Sequence, residues 1–265
     1  MSRPLEADLQ AGVNRLGLAL SGEQITALLD YQALLGKWNQ VYNLTAVRDP
    51  AEMLTHHLLD SLSAVPPLLR HLQAVHPLRQ SQQELPVQQP QAQMTAMSSL
   101  LPPLSPSAAP ALSPASPQLQ LLDVGSGGGL PGVVFAICCP DLQITCVDTV
   151  AKKAAFVQQA AAMLRLPNLR GLHARVETVQ QPYDVVSSRA FASLADFTGW
   201  SRAALAEQGV WLAMKGKHPA DELAALPADV QVFHVEPLQV PLLAAERCLV
   251  WMRPTAAVAV PAQAA

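Results

Sequence analysis

Two acids and a run of glycines carry the clearest chemistry in this chain. In "LQLLDVGSGGGLPGVVFAI" an apolar run leads into Asp123, and five glycines follow between positions 125 and 132. Glycines let a backbone adopt positive φ and approach a ligand closely. Asp148 lies 19 residues after Gly129, where a carboxylate at the end of a second strand can accept both hydroxyls of a ribose. Nucleotides, dinucleotides and S-adenosylmethionine are all gripped by loops of this kind. Gly127-x-Gly129-x-x-Gly132 formally fits the dinucleotide pattern, in which a helix N-terminus receives a pyrophosphate. Here Pro131 removes one backbone donor, and Asp123 brings a negative charge close by. A carboxylate disfavours a diphosphate and favours a sulfonium and an ammonium. The balance therefore points to S-adenosylmethionine, with an NAD-type oxidoreductase as the alternative from another class.

The elements that must hold these residues follow from periodicity. Ser21 to Gln24 form a capping box. Behind it Ile25, Leu28, Leu29, Leu35, Trp38 and Val41 make one helical face, on which Trp38 and Tyr42 are expected in the core. Asp49-Pro50 starts another helix by the cap-plus-proline rule, expected to stop at Pro66-Pro67. His57 and Asp60 share a face of that helix, close enough to bond to each other. Residues 1–70 are thus a helical extension. Residues 71–118 read as a disordered insert: 72–118 hold nine prolines and nine glutamines, too many prolines for long helices or central strands. From 119 to 253 the pattern alternates. Strands are expected over 119–124, 143–147, 169–173, 183–187 and 209–214. Helices are expected over 132–139, 151–164 and 194–207. This order predicts a parallel sheet with helices on both faces. Strands at 230–235 and 247–252 lack an intervening helix and should pair antiparallel at one edge. Residues 254–265 form a loose tail.

Bulk properties narrow the function. The net charge is −3 and only 14% of residues are charged, which excludes a generally basic nucleic-acid binder and leaves a local patch. Lys215-Gly216-Lys217 is one candidate phosphate contact. Lys152, Lys153, Arg165, Arg170 and Arg175 are another, against a default reading as a solvated face. No signal-peptide core and no membrane-length apolar run occur. The four cysteines sit in apolar segments without a CxxC pair, so they read as reduced, buried thiols with no zinc site. The expectation is a cytoplasmic, metal-free monomer.

The acceptor leaves its own marks. Carbon-5 pyrimidine methylation needs a cysteine nucleophile, and none follows the fourth strand. Exocyclic-amine methylation commonly uses an Asn/Asp-Pro-Pro-aromatic loop there, whereas this chain has "SSRAFASL" with Arg189 and Phe191. Guanine N7 is already a bare lone pair and needs only positioning and tolerance of the resulting positive charge.

Together "KWNQVYNLTAVRDPAEMLTHHLLDSL", "LLDVGSGGGLPG", "SSRAFASL", "AMKGK" and "LQVPLLAAERCLVWM" resemble the small-subunit ribosomal RNA methyltransferase G family. That resemblance implies an α/β, Rossmann-like class I S-adenosylmethionine-dependent methyltransferase sheet with an N-terminal helical extension. It implies methyl transfer to guanine N7 in the 530 loop of 16S rRNA, on the RNA or on the small ribosomal subunit. A small-molecule methyltransferase is the alternative within the class. By motif, Gly125 and Leu130 would line the cofactor, Val176 and Glu177 would flank the adenine, and Asp148 would hold the ribose. Asp123, Gly127 and Gly129 complete the cofactor loop. Arg189 would sit at the cofactor's methionine end or in the acceptor pocket. Arg48, His57, Lys215 and Lys217 are the candidate RNA contacts. No general base is expected. The chain departs from the family in having His56-His57 where Arg-His is usual, and in the insert before the first strand.

Overall fold

The computed structural model describes residues 3–83 and 118–255. The extension begins with helix α1 (Arg3–Arg15) and continues with α2 (Gly22–Tyr42). Ser21 caps α2 with the expected reciprocal box to Gln24, and Asn43 ends it in the left-handed conformation that asparagine tolerates. Asp49 caps α3 (Pro50–Met53) by accepting from the N–H groups of Ala51 and Glu52. The helix then widens into a π-helical segment, Leu54–Leu59, before α4 (Asp60–Ser63) and α5 (Val65–Gln83). Pro66-Pro67, expected to stop a helix, does not do so. It lies in the first turn of α5, where the missing N–H has no intrahelical partner to lose. The extension therefore passes the boundary expected at residue 70. The rest of the expected insert, 84–117, and the tail over 256–265 lie outside the described residues.

The described residues form a seven-stranded sheet in the order β3-β2-β1-β4-β5-β7-β6. Its strands are β1 (Gln120–Val124), β2 (Gln143–Asp148), β3 (Leu169–His173), β4 (Tyr183–Arg189), β5 (Leu205–Lys215), β6 (Val230–Leu238) and β7 (Arg247–Pro254). The first five are parallel; β7 runs antiparallel to both β5 and β6. This is a Rossmann-like sheet with an antiparallel strand inserted near one edge. The central strands are buried on both faces, which is why they read as near-continuous apolar runs. Helices α6 (Gly132–Cys138) and α7 (Ala151–Met163) cover one face, with the extension packed over them. Helix α8 (Leu194–Trp200) covers the other. It is shorter than expected: a 3₁₀ turn follows it, and β5 already begins at Leu205. A short α9 (Ala220–Ala224) precedes β6. Trp38 packs on Phe156, but Val41 is 70% exposed and Tyr42 39%, so the apolar face of α2 stops short of its C-terminus. All four cysteines are free thiols.

Candidate functional site

A cavity of about 480 Å³ opens at the carboxyl ends of β1, β2, β3 and β4. Parallel sheets place their ligands at this end, beside the strand where the order reverses. Its wall includes Gly125, Asp148, Val176, Glu177, Phe191 and Trp200. Gly125 has φ +66°, and a Cβ there would run into the Phe191 ring, so only glycine fits. The loop is tied to β2. Gly125 N–H and Ser126 N–H donate to Val147 O at 2.9 and 3.3 Å. Gly127 N–H donates to Asp148 Oδ2 at 3.0 Å, and Val150 N–H donates to Oδ1 at 2.9 Å. The Asp148 carboxylate thus spans the loop and the start of α7 while facing the cavity.

Asp123, expected on the cofactor, lies beneath the loop and off the cavity wall. It is fully buried; Oδ2 accepts from Gly132 N–H and Oδ1 from the Ser187 hydroxyl, both at 3.0 Å. Burial pushes its carboxyl up to about 7. Its charge is weaker at neutral pH than the electrostatic argument from sequence assumed. Gly129 and Leu130 are also buried; Gly129 faces Val133 and Val157, and Leu130 joins the core. Gly127 meets the site through its N–H bond to Asp148.

Arg189, at the end of β4, precedes the cavity residues Ala190 and Phe191. Ala190 has φ +49°, unusual for a residue with a side chain, and this turn directs Phe191 over Gly125. Arg189 Nη1 donates to His56 O and to Asp60 Oδ2, each at 2.9 Å. Arg247 Nε donates to the other Asp60 oxygen at 2.7 Å. One buried carboxylate from the extension thus binds two guanidiniums, one from β4 and one from β7. The sequence singled out Asp60 but paired it with His57, and gave no role to Arg247. A signal for the ion pairs was present: an acid inside the apolar helical run "HHLLDSL" needs a cationic partner. Trp200, 43% exposed and edge-on to Phe191, carried no such signal.

His57 does not bond to Asp60. Its Nε2 lies 2.7 Å from Thr45 Oγ1. Burial, reinforced by the Arg189 charge, lowers its pKa to about 4, so it is neutral and brings no charge to a phosphate. Lys215 is also committed elsewhere. Its Nζ lies 2.7 Å from Glu222 Oε2, which also accepts from Leu194 N–H at 2.8 Å. Lys217 is exposed. Arg48 is exposed, donates to Asn43 Oδ1 at 3.1 Å, and borders a separate cavity of about 640 Å³ walled by α1, α2 and α3. Among the described residues no cluster of three His, Cys, Asp or Glu could hold a metal ion.

These shifts fix a pH response. Asp123 has a folded pKa above its unfolded value, so its contribution is present below about pH 4 and lost as pH rises through about 7. His57 has a folded pKa below its unfolded value, so its contribution is present above about 6.5 and lost as pH falls toward 4. The two oppose each other over this range. In Asp123→Asn, which retains the acceptor for Gly132, melting temperature should climb from pH 4.5 to 6.5 more steeply than in the wild type. Calorimetry across that range checks this; parallel curves would mean Asp123 titrates normally.

Comparison with known proteins gives one family. The family model described as rRNA small subunit methyltransferase G matches residues 24–75 and 105–250. The ribosomal RNA small subunit methyltransferase G of an Acidovorax species is 62% identical over 251 residues, covering 95% of this chain and 96% of its own. That of Paracidovorax citrulli is 59% identical over 250 residues, covering 94% and 90%. Among solved structures, TrmN from Thermus thermophilus aligns at 18% identity with a TM-score of 0.43, covering 52% of this chain and 45% of that one.

Proposed function

The chain belongs to the rRNA small subunit methyltransferase G family, and from that premise we propose that it transfers a methyl group from S-adenosylmethionine to N7 of a guanine in the 530 loop of 16S rRNA. The observation that carries the cofactor half is the Asp148 carboxylate on the wall of a 480 Å³ cavity beside the glycine loop. A cavity of this size suits a nucleoside-sized ligand. Each Asp148 oxygen accepts one backbone N–H and retains a lone pair for a ribose hydroxyl. Gly125, without a Cβ, lets the Phe191 ring close over the loop and shape the cavity wall, while Val176 and Glu177 flank the adenine. Leu130, Gly129 and Asp123 support the loop from below.

When bound, the cofactor supplies a methyl group on a sulfonium. Asp148, Gly125, Val176 and Glu177 would hold S-adenosylmethionine so that this methyl group passes to the N7 lone pair, leaving a neutral thioether and a positive charge on the base. No proton moves, so the protein needs no general base and no nucleophile; the cavity wall carries no cysteine. The protein's work is orientation and exclusion of water. Arg189, anchored by Asp60, immediately precedes the cavity residues Ala190 and Phe191, and we assign it to the acceptor side. Its guanidinium orients an acceptor oxygen there. Lys217 and Arg48 remain the exposed candidates for phosphate contact. Lys215 supports the loop after β4 through Glu222.

The partner is small-subunit rRNA, and the protein acts as a metal-free cytoplasmic monomer. Among the described residues no helix is long and apolar enough to cross a membrane. Mass mapping of 16S rRNA from a deletion strain tests the reading. N7 methylation of the 530 loop should vanish in the deletion and return on complementation; methylation retained in the deletion strain would refute it. Activity on the small subunit should fall steeply with salt, as phosphate contacts require, and a salt-insensitive KM would favour the small-molecule alternative.

A further inference from the structure

The glycine loop is also gripped from outside the sheet. Tyr31 of α2 is fully buried, and its hydroxyl donates to the carbonyl of Gly128, 97 residues along the chain. Leu35, one turn further on, occupies the space a Gly128 side chain would need. Phe156 of α7 stands against the Tyr31 ring, with centroids 6.4 Å apart. The loop's other backbone bonds go to itself, to β2 and its end, or to the start of α6: Gly129 N–H donates to Ser126 O at 2.8 Å, Gly127 N–H donates to Asp148, and Val133 N–H donates to Gly129 O at 2.7 Å. The Gly128 carbonyl and the Gly129 N–H are edges of one rigid peptide plane. Tyr31 holds one edge and Ser126 the other. Without the hydroxyl, three consecutive glycines could rotate that plane at little cost. A buried carbonyl that lost its donor would then turn to find another.

We propose that Tyr31 is a positioning residue for the cofactor loop, so that the helical extension sets S-adenosylmethionine affinity through the Gly128 carbonyl. This rests on the cofactor reading above. Coupling of this kind is reciprocal, so the cofactor must also tighten α2.

Tyr31→Phe removes the hydroxyl and keeps the ring. Calorimetry should show S-adenosylmethionine bound about tenfold more weakly, the worth of one buried hydrogen bond. The KM for the cofactor should rise in step, with the KM for the small subunit and the saturated rate unchanged. A dissociation constant within twofold of wild type would overturn the proposal, even if melting temperature fell. Leu35→Ala loosens the packing but leaves the hydroxyl in place; an equal loss of affinity there would show that packing, and not the bond, is responsible. Should Tyr31→Phe not fold, hydrogen exchange on the wild type decides. Adding cofactor should slow exchange over 28–35 as well as 125–130, and protection confined to the loop would refute the link. Wild type that binds no S-adenosylmethionine would remove the cofactor reading itself, a result separable from the failure of the Tyr31 arm.

Discussion

Asp148→Ala should weaken S-adenosylmethionine binding by about two to three orders of magnitude, the largest single-residue effect expected on the cofactor. The loss has two parts. The carboxylate is the only acidic group on the cavity wall that also accepts from the glycine loop, and each of its oxygens already holds one backbone N–H. Removing it strips the charged acceptors from the ribose, each worth about 1.5–3 kcal/mol. It also releases Gly127 N–H and Val150 N–H, so the loop loses its tie to the end of β2. Asp148→Asn tests the second part. An amide can accept from one of these N–H groups but presents its own donors to the other, so most of the loss should persist. Calorimetric titration measures both variants. A dissociation constant for Asp148→Ala within tenfold of wild type would mean that the ribose is held elsewhere.

Asp148 was legible because sheet topology and strand-end position follow from the alternation of apolar runs. Gly125, Val176 and Glu177, expected from the family resemblance and not from topology, also line the cavity. Topology failed where the answer depended on which way a side chain faces. Asp123 ends the first strand just as Asp148 ends the second, yet it points under the loop to Gly132 and Ser187. Chain spacing identifies a strand end but not the side of the loop on which a carboxylate lies. Leu130 likewise packs into the core and off the cavity wall. For Lys215 and His57 residue type alone hid the surroundings: Glu222 pairs with the one, and burial lowers the pKa of the other. In the extension, capping signals were reliable because they are local. Pro66-Pro67 was ambiguous, since a proline pair can close one helix or open the next, and only the packing of α5 distinguishes these.

Asp60→Ala should cost about 3 kcal/mol of stability and lower the melting temperature by about 6–12 °C. Its carboxylate is 3% exposed at the residue level, and it faces two guanidiniums whose side chains are 18% and 22% exposed. Truncating one partner of a buried ion cluster leaves uncompensated charge behind, which costs about 3–5 kcal/mol when solvent is absent. Residual hydration of both arginines puts Asp60 at the low end of that range. The energetics also predict a recovery. Replacing a whole buried ionic cluster with apolar residues is often neutral, so the triple variant Asp60→Leu, Arg189→Met, Arg247→Met should regain most of the lost melting temperature. Its methyl transfer should stay low, because Arg189, which immediately precedes the cavity residues Ala190 and Phe191, is the residue proposed to orient the acceptor. Thermal unfolding and a transfer assay on the same preparations separate the two roles. If the triple variant recovered both stability and transfer, the Asp60 cluster would be a structural clamp between the extension and the sheet, and Arg189 would have no part in orienting the acceptor.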